Sequence, residues 1–349
     1  MATPQLALTN APVAVDAMGG DMAPFTIVKG AVECARLDQI PVILAGDEPE
    51  ILSIIRKLKA ESLVDNKRIQ IASAAISVSM DEKPSIALRK RGSSMHVVCD
   101  LVASGQACGA LSAGNSGAMM AIAVTQVGRL EGVIRPAIAT LMPSKKGFGI
   151  VADAGANVDC TPQMLLQFAI FGAAFAKGVF AIDNPRVGVI SNGEEEGKGN
   201  DLTRAALSLI QSTDLWCEGY CEGRDIFDGE VNVFVCDGFT GNVLLKTAEG
   251  TAKFFTYSIR ENIESAGALS RLGAFLMRPV FKSLKGRFDP RAYGAAPLLG
   301  LKAPVFIAHG NSDDYAIRRA IQFVARSHQA RVEELIETSL SKYAEYYKA

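Results

Sequence analysis

The chain of 349 residues is 49 % hydrophobic and carries a formal net charge of −1. So large an apolar share supports a sizeable core and excludes a disordered chain. Near-neutral charge argues against nucleic acid as the main partner, because phosphate backbones are met by basic surfaces.

Residues 1–12 have neither a basic cluster nor a long apolar core, so no signal peptide is expected. An apolar run at 13–17 leads to Met18-Gly-Gly-Asp21 and a helix from about Pro24. Residues 42–45 lead to Gly46-Asp47 and a helix with Pro49 near its start, a favoured place for proline. The longest stretch without a formal charge, 101–128, is broken by Ser104, Gly105, Gly109, Ser112, Gly114, Asn115, Ser116 and Gly117. Only 118–127 is steadily apolar, short of the ~20 residues a spanning helix needs.

The same phrase continues downstream. Residues 110–112 lead to the 113–117 turn and a helix through Val127, and 149–152 lead to Asp153-Ala-Gly-Ala-Asn157 and a helix over 162–176. The run 187–191 precedes Asn192-Gly-Glu-Glu-Glu-Gly-Lys-Gly-Asn200 and a helix over 202–210. Residues 231–236 precede Asp237-Gly-Phe-Thr-Gly-Asn242 and a long helix, and 305–308 precede His309-Gly-Asn-Ser312 and the C-terminal helices. Strands alternating with helices predict a single α/β domain over 1–349: a largely parallel sheet with helices on both faces. Continuous apolar strands fit that burial.

A helical projection at about 240–288, a projecting hairpin, departs from this phrase. It is interrupted near Ala266-Gly267 and Pro279. Residues 265–288 contain no acid, while Arg271, Arg278, Lys282, Lys285 and Arg287 are basic and Leu269, Leu272, Phe275, Leu276, Val280 and Phe281 are apolar. A dimer interface, an anionic membrane surface and an acidic protein are the three readings of such a segment.

Seven cysteines, at 34, 99, 108, 160, 217, 221 and 236, form no disulfide framework and read as reduced thiols of a cytosolic protein. With only His96, His309 and His328 beside them, no zinc site is expected.

The 192–200 loop is the sharpest signal. Gly193, Gly197 and Gly199 let the backbone turn and approach a ligand, and the following helix start favours an anion beside Lys198. Ligands of open parallel sheets bind beyond the carboxyl ends of strands. Phosphate is the natural guest. The loop is no P-loop, since three residues rather than four separate Gly193 from Gly197 and Gly199 follows the lysine. Neither a dinucleotide fingerprint nor a G-x-S-x-G elbow is present. Each candidate has a plainer reading. Lys198 can pair with Glu194, Glu195 or Glu196; Asn242 and Asn115 can cap helices; Asp16 and Asp21 around Gly19-Gly20 can serve a tight turn; His309 can be structural.

Taken together, these segments resemble the bacterial phosphate acyltransferases that convert acyl-[acyl carrier protein] and inorganic phosphate into acyl phosphate. The likeness runs from Val13 to about Ile321. Its marks are Val15-Asp-Ala-Met-Gly-Gly-Asp21, Met80-Asp-Glu-Lys-Pro-Ser85, Ser93-Ser-Met95, Ser112-Ala-Gly-Asn-Ser-Gly-Ala118, Arg135-Pro136 and Asp153-Ala-Gly-Ala-Asn-Val-Asp-Cys160. Asn184-Pro-Arg-Val-Gly188, Glu195-Glu-Gly-Lys-Gly-Asn200, Glu222-Gly-Arg224, Cys236-Asp-Gly-Phe-Thr-Gly-Asn242, Tyr293-Gly-Ala-Ala-Pro-Leu-Leu-Gly300 and His309-Gly310 complete the set. Met22, Ala295 and Asn192 depart from the usual pattern, which carries histidine, glycine and an aliphatic residue there.

The resemblance implies a Rossmann-like fold, a homodimer and a role at the start of phosphatidic acid synthesis, with a glycerol-3-phosphate acyltransferase downstream. It implies a cytoplasmic enzyme held at the inner face of the cell membrane through Leu269, Leu272, Phe275 and Leu276. Catalytic roles fall on Lys198 and Asn242. Asp16, Gly19, Gly20, Asn115, Gly197, Gly199, Asn200 and His309 are expected to line the substrate site, with the amides of the 197–200 turn aiding Lys198. No metal or organic cofactor is expected. An acyl-coenzyme A phosphotransacylase and a non-catalytic membrane scaffold for lipid-synthesis enzymes are the alternatives.

Overall fold

Apolar runs become strands and the amphipathic segments after them become helices in the computed structural model, which describes residues 11–195, 197–287, 291 and 293–347. Of residues 282–285 and 287 only the backbone is described, so the expected basic side chains of Lys282, Lys285 and Arg287 lie outside it, as does Glu196. The first part runs β1 (Val13–Asp16), α1 (Phe25–Glu33), β2 (Val42–Gly46), α2 (Glu48–Lys57), α3 (Glu61–Asp65), β3 (Ile69–Ser73), α4 (Pro84–Ala87), α5 (Ser94–Ala103), β4 (Gly109–Ser112) and α6 (Ser116–Gln126). The middle holds β5 (Ala137–Ser144), β6 (Gly147–Ala152), α7 (Pro162–Phe180), β7 (Val187–Ile190), α8 (Asp201–Gln211), β8 (Cys217–Cys221) and β9 (Val233–Val235). Three consecutive helices follow, α9 (Gly238–Ser265), α10 (Ala268–Leu276) and α11 (Arg278–Arg287), then β10 (Ala295–Leu299), β11 (Val305–Ala308), α12 (Asp314–Gln329) and α13 (Val332–Lys342).

Among the described residues, eleven strands join one sheet in the order β3-β2-β1-β4-β11-β10-β5-β6-β9-β7-β8. Pairing is parallel within β3-β2-β1-β4-β11 and within β6-β9-β7-β8. The joints β11–β10, β10–β5 and β5–β6 are antiparallel. Three reversals between the blocks make them run in opposite directions. Their carboxyl ends therefore emerge on opposite edges of the sheet.

Helix α7 sits at the centre of the core. Thr161 caps it by accepting from Met164 N, Pro162 opens it, and fourteen of its nineteen residues are buried. Phe168, Phe171 and Phe175 are fully enclosed, each worth roughly 1.5–3 kcal/mol over an exposed ring. α7 is long and apolar enough to cross a membrane, yet 78 % of its apolar window is buried inside this fold. Gly172 lets it lie directly on β9, since a Cβ there would fall 2.4 Å from Val233 Cγ1.

Candidate active site

Three strand ends, β6, β9 and β7, stand side by side on one edge. β9 pairs with both neighbours, Val235 opposite Ala152 on one side and Val189 on the other. The roots of the Lys198 loop and of the Asn242 helix are thus one strand spacing apart, about 4.8 Å.

Asp237, not Asn242, caps α9: its Oδ1 accepts from Thr240 N at 2.8 Å and its Oδ2 from Thr240 Oγ1 at 2.8 Å. Asn242 lies in the second turn, exposed, and no described hydrogen bond uses its carboxamide. It rests against Gly155, whose added Cβ would fall 3.6 Å from Asn242 Cβ and 3.8 Å from Oδ1.

The Lys198 loop departs from expectation in its amides. Lys198 N donates to Glu195 O at 3.0 Å, Gly199 N to Asn192 Oδ1 at 2.9 Å and Asn200 N to Thr203 Oγ1 at 2.9 Å. The Asn200 side chain accepts from Thr203 N, closing a capping box on α8. Three N–H groups expected to aid the anion are therefore committed inside the loop, and Asn200 is a cap. The Lys198 side chain is exposed and only loosely paired with Glu195, at 3.9 Å. Gly199 has φ +79°, a conformation glycine supplies without strain. Asn192, which departs from the resembling pattern, is the group that folds the loop back.

The loop after β8 joins the two halves of this edge. Arg224 pairs with Glu222 at 2.6 Å and with Glu194 of the Lys198 loop at 3.5 Å. A Cβ on Gly223 would touch Leu244 of α9 at 3.8 Å. Burial favours the neutral form of the neighbouring thiols, pushing Cys160 up to about 12 and Cys236 well above the ordinary thiol value.

Asp16, Gly19, Gly20, Asn115 and His309 gather at the opposite edge, around the ends of β1, β4 and β11. Asp16 is buried; its Oδ2 accepts from Ser112 Oγ at 2.7 Å and its Oδ1 from Met18 N at 3.1 Å. Burial raises its pKa, against the hydrogen bonds of Ser94 and Ser112. A Cβ on Gly19 would stand 2.5 Å from Asp16 Oδ2, and Gly20 has φ +114°. Asn115 caps α6 through Ala118 N and donates to Met80 O and Glu82 O, both at 2.8 Å, so its amide is fully used. His309 is exposed, and its Nδ1 accepts from Asn311 N at 3.5 Å. No described contact joins this group to Lys198 or Asn242. Among the described residues, no cluster of three or more His, Cys, Asp or Glu side chains is arranged to hold a metal.

The sequence profile of the family described as "Fatty acid synthesis protein" matches residues 11–335. A phosphate acyltransferase of Geobacter sulfurreducens is 44 % identical over 97 % of both chains, and one from Anaeromyxobacter dehalogenans (strain 2CP-1) is 46 % identical over 89 % of this chain and 85 % of its own. The chain belongs to the phosphate acyltransferase family. In solved structures the acyltransferase fold is matched by a phosphotransacetylase from Streptococcus pyogenes, with TM-score 0.61, 21 % identity and coverage of 92 % of this chain and 95 % of the other. The EutD phosphotransacetylase from Staphylococcus aureus gives TM-score 0.60 at 18 % identity, covering 92 % and 96 %.

The sequence reading missed the support beneath the acyltransferase's Asn242. Asp153 and Asn157 form it, and their motif after β6 was its only signal. Burial pushes the Asp153 carboxyl above the usual range, and hydrogen bonds from Ala156, Asn157 and Ile138 pull it partly back.

Proposed function

We propose that the enzyme transfers a fatty acyl group from acyl-[acyl carrier protein] to inorganic phosphate, giving acyl phosphate for phosphatidic acid synthesis. One observation carries the reading: an exposed lysine and an uncommitted carboxamide rise from neighbouring strand ends in a phosphate acyltransferase. Phosphate is anionic at neutral pH, so its attack needs no strong base. An oxygen of phosphate held by Lys198 adds to the thioester carbonyl. Asn242 donates to the oxyanion, and the C–S bond breaks as that intermediate collapses, the carrier leaving as a thiolate that takes up the proton given up by hydrogen phosphate. Ordering two reactants contributes up to ~7–11 kcal/mol, and one well-aimed oxyanion donor roughly 2.7–4 kcal/mol.

Helices α9 and α10 support the proposed surroundings. Only Gly238 and Gly241 of the 28 residues of α9 are buried, leaving Phe239, Phe254, Phe255 and Tyr257 exposed for a second copy of the chain. At the tip, Leu269 is 84 % exposed and Phe275 66 %, with Leu272 and Leu276 beside them. This apolar, acid-free tip suits the cytoplasmic face of an anionic membrane. Its basic side chains suit an acidic carrier protein. A downstream glycerol-3-phosphate acyltransferase would consume the acyl phosphate.

The phosphotransacetylase likeness favours one second reading, a coenzyme A thioester as donor. Side-by-side assays of phosphate-dependent thiol release test both. Faster turnover of long-chain acyl-[acyl carrier protein] is expected; a preference for acyl-coenzyme A would replace the donor assigned here.

A further inference from the structure

We infer that Asp153 and Asn157 are positioning residues for Asn242, a role that rests on the function proposed above for that carboxamide. Asp153 is wholly buried at the end of β6. Its Oδ1 accepts from Ile138 N at 2.9 Å, Ala156 N at 3.1 Å and Gly155 N at 3.3 Å. Its Oδ2 accepts from Asn157 N at 2.6 Å and Asn157 Nδ2 at 3.0 Å. The amides of residues 155–157 thus point inward at this carboxylate. They cannot cradle an anion, so the loop acts as a support.

What it supports is the first turn of α9. Asn157 O accepts from Gly238 N at 2.7 Å, and Asn157 Nδ2 also donates to Pro136 O at 2.8 Å. The helix lies so close that a Cβ on Gly238 would meet Asn157 O at 2.7 Å, and one on Gly241 would meet Asp153 O at 1.9 Å. Gly155, at φ +135°, brings its bare backbone under the Asn242 side chain. Position 242 is one helical turn beyond 238 and adjacent to 241, so a shift of this loop is transmitted directly to the carboxamide. Misplacing a reacting group by ~1 Å can cost on the order of 100-fold.

The test is a double-mutant cycle in single-turnover mode, using full-length enzyme, acyl-[acyl carrier protein] and inorganic phosphate, with rates per folded enzyme. Asn157→Ala and the milder Asn157→Ser are each made in the parent and with Asn242→Ala. In the parent background, the Asn157 changes should slow acyl transfer about tenfold and leave the KM for phosphate within about twofold. With Asn242→Ala present, they should slow it less than about twofold, because the group they aim is gone. Equal slowing in both backgrounds, or none in the parent, overturns the inference and leaves Asn242 its role. An Asn242→Ala enzyme as fast as the parent instead removes the function on which the inference rests.

Discussion

Lys198 and Asn242 differ in what the protein has already asked of them. Lys198 is loosely tied to an exposed Glu195, so phosphate has only a weak competitor to displace. Exposed pairs are worth about 0.2–1 kcal/mol, so Glu195→Gln should lower the KM for phosphate by at most about fivefold. Lys198→Ala removes a charged contact worth about 1.5–3 kcal/mol, and kcat/KM for phosphate should drop about 10- to 100-fold. Asn242→Ala should lower kcat roughly 100-fold or more through loss of an oxyanion donor. Steady-state kinetics with varied phosphate separate the three. The glycines and lysine of the 192–200 loop made its position legible because they act through local backbone freedom and local charge. Asn200 and Asn115 turned out to cap helices, the plainer reading of any asparagine before an apolar run. Asp153 and Asn157 could not be read so easily. Their role depends on a helix that begins some eighty residues further on.

Glycine contacts set the register of whole elements. Gly241→Ala would place a Cβ 1.9 Å from Asp153 O, a clash that overpacking experience puts at about 1–3 kcal/mol. A lower melting temperature and slower acyl transfer are expected, both measurable on the purified variant. At the C-terminus, Asp214 accepts from Lys342 and Tyr343, anchoring the end of α13 beside the α8–β8 turn. Lys342 and then Tyr343 hold its carboxyl below the ordinary value of 3.8. The stability it adds is therefore present above that value and lost as pH falls through the lower folded value. Asp214→Asn should flatten the acid limb of a melting-temperature profile below about pH 4. Strands β1, β2, β4, β6, β7, β9 and β11 were legible as apolar runs ending in glycine turns. β3 mixes exposed and buried positions, β5 interleaves half-buried with buried ones, β8 lies at an edge, and β10 carries Pro297, so none of the four presents that continuous run.

Across the whole molecule, opposed strand blocks decide the layout of function. One sheet edge carries Lys198, Asn242 and their supports; the other carries Asp16, Gly19, Gly20, Asn115 and His309. Sequence order could not reveal this, because strand polarity depends on the three antiparallel joints around β10 and β5. The α10–α11 segment was legible from its acid-free composition, which does not depend on tertiary context. Charged replacements at Leu272 and Phe275 should weaken co-sedimentation with anionic liposomes, and unchanged binding would remove the membrane role of the tip. Raised salt should weaken carrier association, since exposed charges are screened beyond about 8 Å at physiological ionic strength. The most direct test follows free thiol released from long-chain acyl-[acyl carrier protein], with and without inorganic phosphate, in the parent and in the Lys198→Ala and Asn242→Ala enzymes. Phosphate-dependent release that collapses in both variants is the predicted result. Release indifferent to phosphate, or variants within about threefold of the parent, would contradict the account.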